Sequence, residues 1–379
     1  FSFFDLAENK EGLMENLSTI GIDIAKSVIQ VHGASKSGRR LFSKKLNRSE
    51  FLPFMANLKP CLVGMEACGG SHHWGRELSK LGHEVKLMPP QHVKPYVKTN
   101  KNDAADAEAC AEAVTRPTMR FVPVKSEAQQ ELAMLHRVRE RLIKERTALA
   151  NQIRGFFTEL GMVFPQGINR LQSRITEALT KHDERLSGMF RTMMNQLLEE
   201  FTSKETEIER YEKMLEEQSR SDEQCKRLMT IPGVGVITAT AIVSTNGSMN
   251  PFSNGRHFAA FLGLVPRQHS SGGKNRLGGI SKRGDGYLRK LLVQGAHAVL
   301  RHAKKLKGSR GQWLNNLILN RGRCRAAVAL ANKNARIIWA LLTRGENYRI
   351  IRGEVSAGDE EGKVANNLGG LLCAAPLGA

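Results

Sequence analysis

Between Ser126 and Cys225 large apolar residues recur every seven positions, at Leu135, Leu142, Leu149 and Phe156 and again at Phe201, Ile208 and Leu215. A seven-residue step keeps one edge of a helix apolar over many turns, and that edge is stable only against another helix. The segment GMVFPQG (161–167) separates the two runs, so the spacing predicts a long helical hairpin over residues 126–225. Two burials of the seam are open: a bundle packed within its own chain, or a protruding coiled coil that holds subunits together. A block of this kind cannot belong to a sheet, so it divides the chain into three parts.

The part before it alternates. STIGIDIA and SVIQVHG read as two strands with a tight connection and RLFSKKL as a third; SEFLPFMANL follows as a helix, CLVGMEA as a buried strand, SHHWGRELSKLG as a helix ending at Gly82, and EVKLMP as a strand. A hairpin followed by βα units is a mixed α/β sheet, with reactive groups expected at strand ends. This domain is expected over residues 14–125, because Met14 with ENLSTIGID looks like a natural start; residues 1–13 are expected to be an N-terminal extension. The part after the hairpin, residues 226–350, reads as helical and loop-rich. Its stretch LMTIPGVGVITATAIVS predicts a helix-hairpin-helix, with Gly233 and Gly235 in a turn whose amides can meet a phosphate. Residues 351–379, rich in Gly and Ala, are expected to be a disordered tail. The fold class is therefore α/β plus all-α.

Charge narrows the partner. The 379-residue chain has 57 Lys and Arg against 37 Asp and Glu, a net +20. Residues 251–352 hold 21 of the cations and only two acids, Asp285 and Glu346, a local net of +19. Such a density predicts salt-sensitive contact with DNA or RNA through counterion release; the plainer reading is a soluble basic surface. Six cysteines without metal-ligand spacing point to a reducing cytoplasm. The lack of a long apolar run or a signal-like start predicts neither a membrane span nor export.

Four acids stand out. Asp23 sits between isoleucines in GIDIAK, where a charge is costly without a compensating cation, and Glu66 sits similarly in VGMEA. NKNDAADAEACAEA opens a helix with Asp103 and Asp106 three apart, on one face. Singly, Asp103 also reads as a helix N-terminal carboxylate favoured by the dipole, and Glu66 as a strand-end acid. As a set, two strand carboxylates and two helix carboxylates suit Mg²⁺, with Mn²⁺ as an alternative, bound together with substrate phosphate. Trp74, Trp313 and Trp339 read as core residues rather than base-stacking platforms.

The stretch PRQHSSGGKNRLGGISKRGDG (266–286) combines three serines, six glycines and five cations with one acid. Arg267, Lys274, Arg276, Lys282 and Arg283 can hold a phosphate backbone, and Gly272 and Gly273 allow close approach. The loop either grips phosphate or presents a serine to it.

GIDIAK, GMEACG and KNDAADA, followed by IPGVGVITA and FAAFLGLVPRQHSSGGKNRLGGISKRGDGYLRKLL, resemble in order the insertion-sequence transposases related to the Piv DNA invertase. The SSGGK version is most similar to the branch typified by the Coxiella insertion element. The resemblance covers roughly residues 17–345. It implies a RuvC-like (ribonuclease H-like) DEDD domain and a C-terminal transposase domain. It also implies a bacterial recombinase, at the nucleoid, that excises and inserts its own element under the guidance of a non-coding bridge RNA pairing with target and donor DNA. The family's nucleophilic serine then falls on Ser271, with Ser270 beside it. Strand exchange implies a homo-oligomer, a dimer or tetramer. The competing enzyme reading is a RuvC-like metal-dependent nuclease or transposase that cuts with activated water, Ser271 only binding phosphate; a third reading is an architectural nucleic-acid binder with structural acids.

Overall fold

The computed structural model describes residues 16–98, 102–181, 183–306 and 308–349. The extension expected at 1–13 and the tail expected at 351–379 lie outside them. The chain forms two compact units, one ending at Glu127 and one beginning at Ala128.

The first unit is a five-stranded mixed sheet of order β3-β2-β1-β4-β5, with β1 at Leu17–Ile24, β2 at Val28–Ser35, β3 at Arg40–Asn47, β4 at Leu62–Glu66 and β5 at Glu84–Met88. The β1, β2 and β3 strands form an antiparallel meander, whereas β4 pairs parallel with β1, and β5 with β4. Helix α1 (Arg48–Ala56) starts at a capping box made by Asn47 and Glu50, which satisfies amides that the first turn leaves unpaired. Helix α2 (Ser71–Lys80) stops before Gly82, whose φ of 89° suits only glycine without strain. Helix α3 (Asp103–Val114) is capped by the Asn102 side chain, which accepts from the Ala105 amide at 2.8 Å. One core, with Ile20, Ile22, Val63, Met65, Phe51 and Leu78, lies among β1, β4, α1 and α2.

In the second unit α4 (Glu127–Glu159) and α6 (Gly188–Ser221) run antiparallel, joined through α5 (Leu171–Thr180), a helix the sequence reading passed over. Of the predicted heptad residues, Leu142, Leu149, Phe201, Ile208 and Leu215 are buried within this one chain, so the seam is closed internally. The intervening heptad steps carry charge: the Arg139 Nε donates to Glu212 at 2.9 Å, and Arg146 meets Glu205 at 3.5 Å. Both arginines are buried. Burial holds the Glu205 carboxyl above its usual range against the pull of Arg146. Two such pairs one heptad apart, each a buried arginine on a half-buried glutamate, favour this register, since a slipped alignment leaves each arginine unpaired.

The remainder is helical: α7 (Glu223–Met229), α8 (Val236–Asn246), α9 (Gly255–Phe261), α10 (Gly286–Arg301), α11 (Gly308–Arg321) and α12 (Arg323–Arg344), with a two-stranded ribbon, β6 (Pro266–Gln268) and β7 (Leu277–Ile280), between α9 and α10. These helices share one core that includes Leu228, Ile242, Phe258, Leu292, Leu330 and Ile338. The root of α4 is tied to them by buried polar bonds. The His136 ring lies 3.0 Å from the Tyr287 hydroxyl and 3.0 Å from Thr240 Oγ1, and Lys290 pairs with Glu140 at 2.9 Å. Among the described residues no helix is long and apolar enough to cross a membrane.

Burial, followed by the Arg139 charge, pushes the His136 imidazole down to about 4. The unfolded chain therefore binds a proton between about pH 4 and 6.5 that the folded chain refuses. The stability from this neutral histidine is complete above about pH 6.5 and falls as the pH drops towards 4, by about 3 kcal/mol at most. Thermal melts across that range should show a shallower acid slope for His136→Gln than for the native chain, whatever the change in absolute Tm.

Candidate active site and nucleic-acid interface

The acidic edge of the first unit follows from two glycines. In the parallel β1/β4 pair Gly21 faces Gly64 and Ile22 faces Met65, which puts Asp23 and Glu66 at the next step on neighbouring strands. Side chains alternate across a strand, so Asp23 shares a sheet face with Gly21, and Glu66 with Gly64. That face carries α3. A Cβ at Gly21 would fall 2.0 Å from the Ala107 carbonyl oxygen, and one at Gly64 2.8 Å from the Cys110 carbonyl oxygen. The helix thus rests on bare backbone, and its first turn stands beside the two strand ends.

Cys110 reports where the acids are. Its thiol is pushed up first by burial, then by the negative fields of Glu66 and Asp23, with a smaller contribution from Asp106. The exposed Cys68 thiol is likewise raised by burial and then by Glu66 and Asp23. Asp23, Glu66 and Asp106 are half-buried, whereas Asp103, one turn earlier on α3, is exposed. Among the described residues no group of three His, Cys, Asp or Glu side chains is placed to hold a metal ion. An open edge of carboxylates suits a hard cation that keeps water and completes its shell with substrate phosphate oxygens, as Mg²⁺ does.

The second unit carries the serine loop on the β6–β7 ribbon, paired Pro266 to Ile280 and Gln268 to Leu277. Ser271 and Lys274 bridge across the tip, where Gly272 and Gly273 take φ of 55° and 75°, the positive pair a tight hairpin turn requires. The two serines have different jobs. Ser270 Oγ accepts from the Arg276 amide at 3.3 Å and from Gln268 Nε2 at 2.9 Å. The Ser271 hydroxyl has no hydrogen-bond partner among the described residues and is exposed. Arg267, Lys274, Arg276, Lys282 and Arg283 are exposed around it. The nearby acid Asp285 is used as the cap of α10, accepting from Tyr287 and Leu288 at 2.8 and 3.0 Å. No hydrogen bond among the described residues links the His269 ring to either serine, so a base for Ser271 is not built into the loop.

Helix α7, the turn at 230–235 and α8 lie over the stretch where a helix-hairpin-helix was expected. Gly233, with φ of 89°, touches α10: a Cβ at Gly295 would lie 1.9 Å from its carbonyl oxygen. Packing thus explains Gly233, while Gly235 is exposed at the start of α8. The sequence reading missed the roles of Gly21 and Gly64, although both precede an acid by two residues, in GID and GME, a repeated spacing that marks one sheet face.

Residues 225–309 match the family model described as the IS116/IS110/IS902 family of transposases, and residues 20–162 match the IS110-type DEDD transposase model. The chain is 47% identical over 335 residues to a probable family 20 transposase of Pseudomonas aeruginosa, covering 88% of this chain and 99% of that protein. It is 45% identical over 336 residues to the transposase for insertion sequence element IS1111A of Coxiella burnetii, covering 89% and 92%. The transposase for IS1328 of Yersinia enterocolitica is 41% identical over 332 residues, covering 88% and 98%.

Because the Gly21 contact is with helix backbone, which cannot rotate away, Gly21→Ala should lift α3 and destabilise the first unit by about 3 kcal/mol. A thermal melt compared with the exposed control Gly38→Ala, which meets nothing within 4 Å but bears its own positive-φ cost, checks this: the Gly21 variant should melt well below the control.

Proposed function

The chain belongs to the IS116/IS110/IS902 family of insertion-sequence transposases, and on that premise we propose that it cuts DNA hydrolytically at the edge formed by Asp23, Glu66, Asp103 and Asp106. The observation that carries this reading is the parallel pairing of β1 with β4, which sets Asp23 and Glu66 at neighbouring strand ends beneath α3, the helix that bears Asp103 and Asp106. Carboxylates gathered beside a polyanion repel it and one another unless a cation lies between them. The residues fit a divalent ion by donor chemistry, and a DEDD transposase family typically uses one. When bound, Mg²⁺ or Mn²⁺ supplies Lewis-acid polarisation of the phosphate and an acidified water. Asp23 and Glu66 at the strand ends, with Asp103 and Asp106 from the first turn of α3, would be the residues to hold the ion. The cations of the β6–β7 ribbon and the amide side of Gly235 bind backbone phosphates.

A second reading has its own support in the contrast between the two serines. With Ser270 tied into the ribbon, Ser271 is the hydroxyl left to attack among five cations. In that reading its proton is lost, an Oγ–P bond forms, and the displaced ester oxygen leaves with a proton. The chain is then a serine recombinase of the kind related to the Piv DNA invertase, directed to target and donor DNA by a bridge RNA and working as a dimer or tetramer. The basic second unit suits RNA as well as DNA. The internally closed seam of α4 and α6 means that an oligomer must use other surfaces.

Chelator, Asp23→Ala and Asp106→Ala should each abolish cleavage of element-end DNA while leaving nucleic-acid binding within about twofold, since neither acid contributes to the phosphate grip. Cleavage that persists in excess chelator would falsify the metal assignment. Under the hydrolytic reading Ser271→Ala cuts with no covalent protein–DNA adduct in either form. An adduct formed by the native chain and lost in Ser271→Ala, but kept in Ser270→Ala, establishes the serine reading instead, and sequencing of co-purified RNA tests its guide.

A further inference from the structure

An open groove of about 420 Å³ lies in the second unit between the start of α9 and α12, lined by Asn254, Gly255, Arg256, Arg336, Trp339 and Ala340. Arg336, Trp339 and Ala340 stand three and four residues apart on one face of α12. The opposite wall begins at Gly255, whose missing Cβ would be 3.0 Å from the backbone of Arg336. Trp339 was expected to be core, and the structure makes it only half so. Its Nε1 donates to the Phe252 carbonyl at 3.0 Å, which fixes the indole, while the residue remains half-buried along the groove.

Several basic residues of the second unit are already engaged. Lys290 has Glu140, Lys333 lies over the Trp313 ring at 4.6 Å, Arg289 bonds the Leu262 carbonyl at 2.9 Å, and Arg310 is buried beside Tyr348 and Asn334. Arg256 and Arg336 are exposed, and neither has a carboxylate within ion-pair distance among the described residues. No lining residue is acidic. An anchored aromatic side chain that shares a groove with two guanidinium groups is complementary to a flat, neutral ring attached to anions.

We propose that this groove seats a nucleotide of single-stranded DNA, with the base against Trp339 and the flanking phosphates at Arg256 and Arg336. A duplex cannot use the groove this way, because its base faces are already stacked on one another. Cutting and rejoining a DNA duplex exposes unpaired strands, so a holder for one fits a transposase. The inference rests on membership of the family and not on which group attacks the phosphate.

The test uses the full chain and fluorescence anisotropy with a short labelled oligodeoxythymidylate, a duplex of equal length, and an oligouridylate. Arg256→Gln combined with Arg336→Gln should weaken the single-stranded DNA on the order of tenfold and reduce its salt slope by about 1.4, the value for two phosphate contacts. Duplex binding should change by less than about twofold, because the ribbon's cations are untouched. Trp339→Leu should weaken single-strand binding on the order of tenfold, and Trp339→Phe should recover most of it, since a ring of either kind stacks. The arginine substitutions lie on the surface, so an unchanged melt accompanies them and the result does not depend on the fold of the tryptophan variants. Equal losses on duplex and single strand, or no loss in the arginine variant, overturn the proposal; a loss confined to oligouridylate overturns its assignment to DNA.

Discussion

Helix α3 lies on sheet backbone rather than on side chains, and the acidic edge depends on that contact. With Gly21 and Gly64 bare, the carbonyls of Ala107 and Cys110 come to where a Cβ would otherwise sit. The first turn of the helix is thereby brought beside the ends of β1 and β4, where Asp23 and Glu66 stand on neighbouring strands. The small-residue face of α3, including Ala107, Ala111 and Cys110, is buried in that contact, and acids concentrated at one sheet edge mark a candidate site.

The two units divide the electrostatics between them. Acids collect at a strand edge in the first, while in the second the segment 251–352 carries a net +19 with its two acids outside the α11 and α12 helices. Within that segment Asp285 is consumed as a helix cap. The remaining positive charge is balanced only in part, by Glu140 on the helical pair. Phosphate is the counter-charge that such a surface lacks, and its binding is driven largely by release of ions from the polyanion. The ribbon exposes its cations on a tight turn; the groove at Trp339 sets two of them about an aromatic wall. These are two ways of meeting nucleic acid, one through charge alone and one that also needs an unpaired base.

The helical pair is more specific than an apolar zipper. Leucine layers supply most of its burial, and burial of leucine is tolerant of small shifts in register. The Arg139–Glu212 and Arg146–Glu205 pairs are not tolerant, because each misalignment strands a charge in the seam. His136 does the equivalent work at the root, where Tyr287 and Thr240 meet its two ring nitrogens. A long lever of this kind keeps a fixed geometry relative to the basic helices from which it springs.

Much of this was legible in the order of residues. Alternation fixed the strands, the seven-residue step fixed the two long helices, and an acid between isoleucines marked the strand end at Asp23, because each of these signals is local and a charge in an apolar run needs a reason wherever it occurs. The family followed from the same residues. What stayed hidden depends on neighbours distant in the chain. The heptads could not say whether Leu142 and Leu149 meet their own chain or another. Gly233 looked like a phosphate contact until Gly295 was found against it, and Trp339 looked like core until one side of it proved open. The resemblance put the nucleophile at Ser271, and the hydrogen bonds from Gln268 and Arg276 show independently that Ser270 is the serine engaged within the ribbon. Sequence alone determined the elements and the chemical groups they carry, since backbone periodicity and residue type are properties of short segments; tertiary structure decided which of those groups are occupied with one another and which are left for a ligand, since that depends on contacts between segments far apart in the chain.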